Sequence, residues 1–369
     1  MKTGPAVFWL CLALITYAYV GYAVLLRLLP RKDPLPPDAS FQPHVSVIIA
    51  AHNEEANLPA KLASLRALHY PASLLEVVIA SDGSTDRTDV ILRENAWVKA
   101  VFLPMAGGKA TALNHAVKAA TGEILVFMDA RQSVHPEAVR RLAATFADPN
   151  VGAVSGELHL ESADGQPSPD ALGIYWKIEK LVRKLESATG SVVGVTGAIF
   201  AMRRDLFVPL PPGTLLDDVL TPMQVARRGK RVLFLDSAIA RDRVFSEPGK
   251  EFGRKVRTLT GNYQLLQLAP WLLSPQNPLL FRLISHKLLR LVVPLLLVAM
   301  LVASAVSGGL LYRSAFILQL LVYVLALFGA LLPGSRRWRA VSITYTFTML
   351  NVAAAVAFYN FVAGRARWS

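Results

Sequence analysis

Four polar side chains follow short Val- and Ile-rich runs early in the chain: Glu54 in AAHNEE, Asp82 in SDGSTD, Lys109 in AGGKATALN and Asp129 in ILVFMDAR. Carboxylates and an ammonium at such places can grip a divalent cation or a phosphate. Asp129 is followed two residues later by Arg131, where a second acid would complete a metal-binding pair in many α/β enzymes. With one clear carboxylate, a metal depends on the ligand's own phosphate oxygens, which magnesium tolerates. Arg131 suits a direct bidentate phosphate contact, or a surface ion pair with a nearby acid. Taken singly, each residue also has an ordinary explanation: Asp82 before Gly83 as a turn residue, Asp86 as helix-terminal charge, Gly107-Gly108 as a helix start.

The runs that carry these residues set their placement. From Val45 the pattern reads VSVIIAA, a helical segment from Glu54 to about Ala67, EVVIAS, a helix from Asp86 to about Asn95, VKAVFLP, a helix over Lys109–Ala120, then EILVFMD. Short β-branched runs alternating with helices predict βαβ units and a mostly parallel sheet. Ligands bind beyond the carboxyl ends of such strands, so the four groups converge on one edge.

The rest of the chain is too apolar for a single soluble domain, at 53% hydrophobic over 369 residues. Pro5–Leu26 has no charge over 22 residues, enough to cross a hydrocarbon core of roughly 30 Å, and exceeds the h-region of a cleaved signal peptide. Three further spans are predicted at 289–308, 314–332 and 340–363. Arg27, Arg31, Lys32, Lys287, Arg290 and the RRWR stretch Arg336–Arg339 all fall on one side if residues 30–285 are cytoplasmic; Arg365 and Arg367 then lie outside, against the positive-inside rule. The expected division is an N-terminal transmembrane helix (1–30), a proline-rich linker (31–43), a cytoplasmic domain (44–245), interfacial helices (246–285) and about three C-terminal spans (286–369). The single Cys11 excludes an intrachain disulfide and a Cys-based metal site. A net charge of +13 is read as attraction to anionic lipid and a phosphorylated ligand; no nucleic-acid-binding motif accompanies it.

VSVIIAAHNEE, SDGSTD, GGKATALN, FMDA, VTGAIFAMRRDLF and LLDDVLTPMQVARRGKRVLFLD stand in the order and spacing of the membrane-bound family 2 glycosyltransferases, the group containing cellulose, chitin and hyaluronan synthases. The resemblance covers about residues 44–265 and implies a GT-A-like nucleotide-diphospho-sugar transferase domain joined to a transmembrane helix bundle. By matching position, Glu54 and Asp82 would contact the uridine-like half of a UDP-sugar, Lys109 would lie near the diphosphate, and Asp129 would hold Mg2+ or Mn2+. Asp218, last acid of LLDD, matches the family's catalytic base, and Thr196 and Gly197 match a loop facing the acceptor. Asp217 is the more natural helix-terminal charge of the pair.

Direct displacement at an anomeric carbon needs a base for the incoming hydroxyl and positive charge for the departing diphosphate. The resemblance therefore implies an inverting transferase that moves a sugar from a cytoplasmic nucleotide-sugar to a saccharide acceptor. Two departures matter. Asp-Ala-Arg replaces the family's Asp-x-Asp, and EFGRKVRTLTGNYQLL stands where processive members carry Gln-x-x-Arg-Trp, although Arg254 and Arg257 can still meet phosphate. Gly253 and Gly261 suggest that this helix is not simply a packed core element, while Leu259, Leu265, Leu266 and Leu268 suit an interfacial face. Transfer of one sugar to a lipid acceptor is the alternative, and a noncatalytic nucleotide-sugar-binding membrane protein is the reading from another class. His52, His115, His135 and His159 lack metal-ligand spacing. Ile174, Ile178, Leu181, Val182 and Leu185 form one apolar helical stripe, and Glu161–Asp170 reads as a loop near the site.

Overall fold

The computed structural model describes residues 3–161, 171–243 and 248–364. Most of the predicted 161–170 loop, and the tail residues Arg365 and Arg367, lie outside the described residues. The strands are β1 (Val45–Ala51), β2 (Leu75–Asp82), β3 (Lys99–Leu103), β4 (Ile124–Phe127), β5 (Ser133–Val134), β6 (Val151–Glu161), β7 (Phe200–Arg203) and β8 (Arg231–Arg243). They form one sheet in the order β3-β2-β1-β4-β7-β6-β8-β5.

The expected parallel block is present as β3-β2-β1-β4, but the whole sheet is mixed. β7 is antiparallel to β4, with Phe127 opposite Phe200 and Ile124 opposite Arg203. β7 begins beside the end of β4, just after the Thr196-Gly197 loop, and runs back along it. β1 and β4 are buried almost throughout, since helices cover both sheet faces and leave no polar alternation. One face packs under Leu58, Leu62 and Leu65 of the Leu58–Arg66 helix and under Val139 and Leu142. The other packs under Leu113 of the Lys109–Ala119 helix, Val219 and Met223 of the Asp217–Arg227 helix, and Leu265, Leu272, Leu279 and Leu283. The second core therefore runs without a break into the segment that opens the second apolar helix.

Among the described residues four helices are long and apolar enough to cross a membrane: Thr3–Leu28, Leu280–Val306, Leu310–Leu331 and Arg339–Val362. The second starts nearer the domain than the sequence pattern suggests, because Leu279 and Leu283 belong to the domain core. The first and second each contain a π-helical turn, Tyr17–Gly21 and Ile284–Leu288, and the two turns meet where the Tyr17 and Ser285 hydroxyls are hydrogen-bonded at 2.9 Å. The helix Pro248–Leu268 lies against the fourth span through Val256, Leu259 and Tyr263 against Ala353 and Ala357. Its Gly261 is a packing position after all, since a Cβ there would meet Leu216 Cγ at 2.6 Å, whereas a Cβ at Gly253 would meet nothing within 4 Å.

Candidate functional site

The ends of β1 and β2 are tied into one wall. His52 Nδ1 lies 2.7 Å from the Asp82 carbonyl, Asn53 Oδ1 accepts from the Thr85 amide at 2.8 Å, and the Glu54 amide donates to Thr88 Oγ1 at 2.8 Å. Glu54 itself is half-buried, its Oε2 accepting from Asn57 Nδ2 at 2.7 Å. Asp82 is buried, and its two carboxylate oxygens accept from the amides of Gly107 and Gly108 at 2.7 and 2.8 Å. It thereby fixes the turn that delivers Lys109 as first residue of its helix. Gly83 makes this possible: at φ +58 a Cβ would sit 2.4 Å from the Ala106 amide nitrogen.

Lys109 lies at the centre of the charged groups. Its Nζ is 2.9 Å from Asp129 Oδ1 and 3.2 Å from Asp217 Oδ2. Burial alone would lower its pKa, but the charges of Asp129 and Asp217 outweigh that and raise it, so the group is a fixed cation. Gly197 faces the same pair: a Cβ there would lie 3.6 Å from both Asp129 Oδ2 and Lys109 Nζ. The missing side chain keeps open space beside the carboxylate.

Asp217 and Asp218 occupy the first turn of the Asp217–Arg227 helix and differ sharply in surroundings. Asp217 is 5% exposed and paired with Lys109. Asp218 Oδ1 is buried and has no hydrogen-bond partner among the described residues. Burial first, then the neighbouring Asp217 charge, pushes the Asp218 carboxyl up to about 6, with Lys109 opposing. Proline sets the backbone here. Pro222 has no N–H to give to the carbonyl four residues earlier, and that carbonyl, of Asp218, instead accepts from the Val195 amide at 2.8 Å. Thr196, next in line, donates its amide to Ser155 Oγ at 3.0 Å.

The sequence-predicted residues thus fall into groups. Lys109, Asp129, Gly197 and the Asp217-Asp218 pair come together, Asp82 holds their loop, and Glu54 lies in the adjoining wall. Arg131 forms an ion pair with Asp242 of β8, a carboxylate that also accepts from Gln132 Nε2 at 3.1 Å. Arg254 and Arg257 are exposed on the Pro248–Leu268 helix. Among the described residues no group of three or more His, Cys, Asp or Glu is arranged to hold a metal.

Two features escaped the sequence reading. Lys61, 1% exposed, donates from Nζ to the Gln132 carbonyl at 2.9 Å and supports the Asp129–Gln132 turn from below; burial pushes it down to about 7, with Asp129 opposing. Its visible signal is a lysine at a core spacing in LPAKLASL. The second lies in the Ala171–Thr189 helix, where Val182 of the expected apolar stripe is buried together with Glu179 and Glu186, while Ile178 is 39% exposed. The buried face is set by polar partners on the long apolar helices, which hydrophobic periodicity does not register.

Residues 46–209 match the protein-family description "Glycosyl transferase family 2". Among curated proteins, the chain is 32% identical over 190 residues to the Synechocystis sp. protein named beta-monoglucosyldiacylglycerol synthase, covering 47% of this chain and 40% of that one. It is 27% identical over 164 residues to the Staphylococcus epidermidis protein named poly-beta-1,6-N-acetyl-D-glucosamine synthase, covering 43% and 39%. The chain spans about half, or less, of the length of the curated relatives it matches. Among solved structures, the mannosyltransferase PcManGT from Pyrobaculum calidifontis, in complex with GDP-Man and Mn2+, superposes with a TM-score of 0.74 at 23% identity, over 96% of this chain and 99% of that one. That likeness speaks for the fold, membrane-length helices included. The chain is thus similar over residues 46–209 to glycosyl transferase family 2, and that segment lies in a GT-A-like mixed sheet joined, among the described residues, to four helices long enough to span a membrane.

Proposed function

We propose that the protein is an inverting glycosyltransferase that moves a sugar from a nucleotide-sugar, a UDP-sugar foremost, to an acceptor hydroxyl at the cytoplasmic face of an inner or plasma membrane. The acceptor oxygen attacks the anomeric carbon as the bond to the diphosphate oxygen breaks; its proton passes to Asp218, and the bonding pair leaves with the diphosphate. The observation that carries this reading is Asp218 itself: an unpartnered buried carboxylate oxygen with a pKa of about 6, one residue from the Asp217–Lys109 ion pair. Such a group is ionised at neutral pH yet basic enough to take a proton in the transition state. Lys109 places fixed positive charge at the site, and Glu54 and Asp82 line the wall assigned to the nucleoside.

The residues present fit a divalent ion held by one protein carboxylate. Asp129 Oδ2 faces the space that Gly197 leaves open, and Mg2+ or Mn2+ commonly uses one or two carboxylates with substrate oxygens completing its shell. Bound there, the ion would add positive charge beside the departing diphosphate. Arg131, paired with Asp242, supports the turn and lends charge from its side.

A saccharide acceptor is one reading, in keeping with the staphylococcal relative's name. A membrane lipid is the second, favoured by a specific observation: Val219 and Leu220, next to Asp218, share one core with Leu279 and with Leu283 of the second apolar helix. The Synechocystis relative's name refers to a glycolipid. The test incubates membranes holding the full chain with radiolabelled UDP-glucose, UDP-N-acetylglucosamine, UDP-galactose and GDP-mannose, with Mg2+, Mn2+ or chelator. A water-soluble ladder selects the saccharide, a single organic-soluble product the lipid. Absence of turnover with all four donors overturns the proposal in favour of a noncatalytic nucleotide-sugar-binding protein.

A further inference from the structure

His286, on the π-helical turn of the second span, is 1% exposed and lies between two buried glutamates of the Ala171–Thr189 helix. Its Nδ1 is 3.0 Å from Glu186 Oε1 and its Nε2 is 2.9 Å from Glu179 Oε1. Both carboxyls are held below their ordinary range: burial alone would raise them, but the His286 charge and hydrogen bonds outweigh it, aided by Lys287 and Arg290 at Glu179 and by Tyr22 and Arg282 at Glu186. Each ring nitrogen thus faces one carboxylate oxygen, and the ring is held from both sides.

Every element around the ring contributes. Tyr22 of the first span donates its hydroxyl to Glu186 Oε1 at 2.7 Å; Arg290 donates to Glu179 Oε2 at 2.9 Å; Lys287 and Arg183 lie 3.7 and 3.9 Å from Glu179 Oε1. Arg282 reaches the carbonyls of Glu186, Thr189 and Ser191 at 2.7, 3.0 and 3.0 Å.

The network reaches beyond the helix. Glu186 Oε2 accepts from the Val193 amide at 3.3 Å, and two residues on, the Val195 amide holds the Asp218 carbonyl that Pro222 leaves available. Two residues further, Gly197 forms the open side of the Lys109–Asp129 pair. We infer that His286 is a positioning residue for sugar transfer: from the membrane helix it holds Glu186, and through the Val193–Val195 backbone it sets the placement of Asp218 and Gly197. The physical basis is that a buried ring hydrogen-bonded through both nitrogens tolerates few alternative geometries. Alignment of the base is thereby tied to the second apolar helix. This inference rests on the role assigned to Asp218 above.

The test compares the parent with His286→Gln and with Tyr22→Phe, which removes one hydrogen bond without changing charge and keeps the experiment interpretable if the first variant fails to fold. Hydrogen exchange of the full chain in detergent, with UDP as the binding probe, reads the coupling whether or not any sugar moves. The expected result is exchange at Val193 and Val195 at least about tenfold faster in His286→Gln and about threefold faster in Tyr22→Phe, with β1 and β4 unchanged. Transfer from whichever labelled donor turns over should fall about tenfold per UDP-binding site in His286→Gln, with UDP affinity within about threefold. A purely structural role would lower the number of UDP sites and speed exchange throughout the sheet, while kcat per remaining site held; that outcome overturns the inference. So does parent-like exchange at residues 190–197 in both variants. Loss of the transfer arm alone, with exchange as expected, strikes the proposed activity and leaves the coupling standing.

Discussion

Asp218→Asn should separate stability from activity in opposite directions. In the folded protein the Asp218 carboxyl is raised from 3.8 to about 6 by burial and the Asp217 charge, so its ionised form is disfavoured relative to the unfolded chain. Above about pH 6 the whole penalty is present; as pH falls from 6 towards 3.8 the folded group takes up its proton first and the penalty disappears. At 1.36 kcal/mol per pKa unit the cost at neutral pH is on the order of 3 kcal/mol, and relief by a neutral isostere, allowing for an imperfectly satisfied amide, is about 1–3 kcal/mol. Asp218→Asn should therefore melt at a higher temperature than the parent at pH 7.5 and at the same temperature near pH 4. Transfer should fall about 10²–10⁴-fold, the usual contribution of a general base, with donor affinity kept. The parent's kcat should decline as pH drops through about 6, because the base must be ionised. The assay is a thermal melt and a single-turnover transfer measured on the same detergent preparation at several pH values. Turnover within about threefold of the parent, or a lower melting temperature at pH 7.5, would refute the reasoning.

The other site residues give narrower expectations. Asp82→Asn replaces one of two acceptors of the Gly107 and Gly108 amides by an NH₂ donor; leaving that amide unsatisfied costs about 1–3 kcal/mol, and calorimetric donor affinity should weaken by tenfold or more as the Lys109 turn loosens. Arg131→Ala leaves Asp242 buried beside Gln132 with one less cation, a loss of about 3–5 kcal/mol in thermal stability. If Arg131 acts through that pair, Arg131→Met combined with Asp242→Asn recovers both stability and donor binding; if it touches the diphosphate directly, only stability returns.

Much of the sheet domain is legible in the sequence because it depends on local rules. Alternating apolar runs and helical segments specify the βαβ block, and strand ends in an α/β sheet specify the ligand edge, so Glu54, Asp82, Lys109 and Asp129 can be gathered without coordinates. Uncharged stretches about as long as a bilayer is thick mark the four apolar helices just as directly. Tertiary structure alone decided which partner each charge would take. Arg131 meets Asp242, 111 residues away, and Lys109 meets Asp217, because β8 and the Asp217–Arg227 helix return to the same edge. The Ala171–Thr189 helix shows the limit most plainly. Periodicity favours burying Ile178 with Val182, yet the fold buries Glu179 and Glu186, because His286, Arg290 and Tyr22 on distant apolar helices pair with and hydrogen-bond them. Hydrophobic pattern reports what a residue avoids in water; the interior position of a charge depends on its partners, and those are fixed only when the chain has closed on itself.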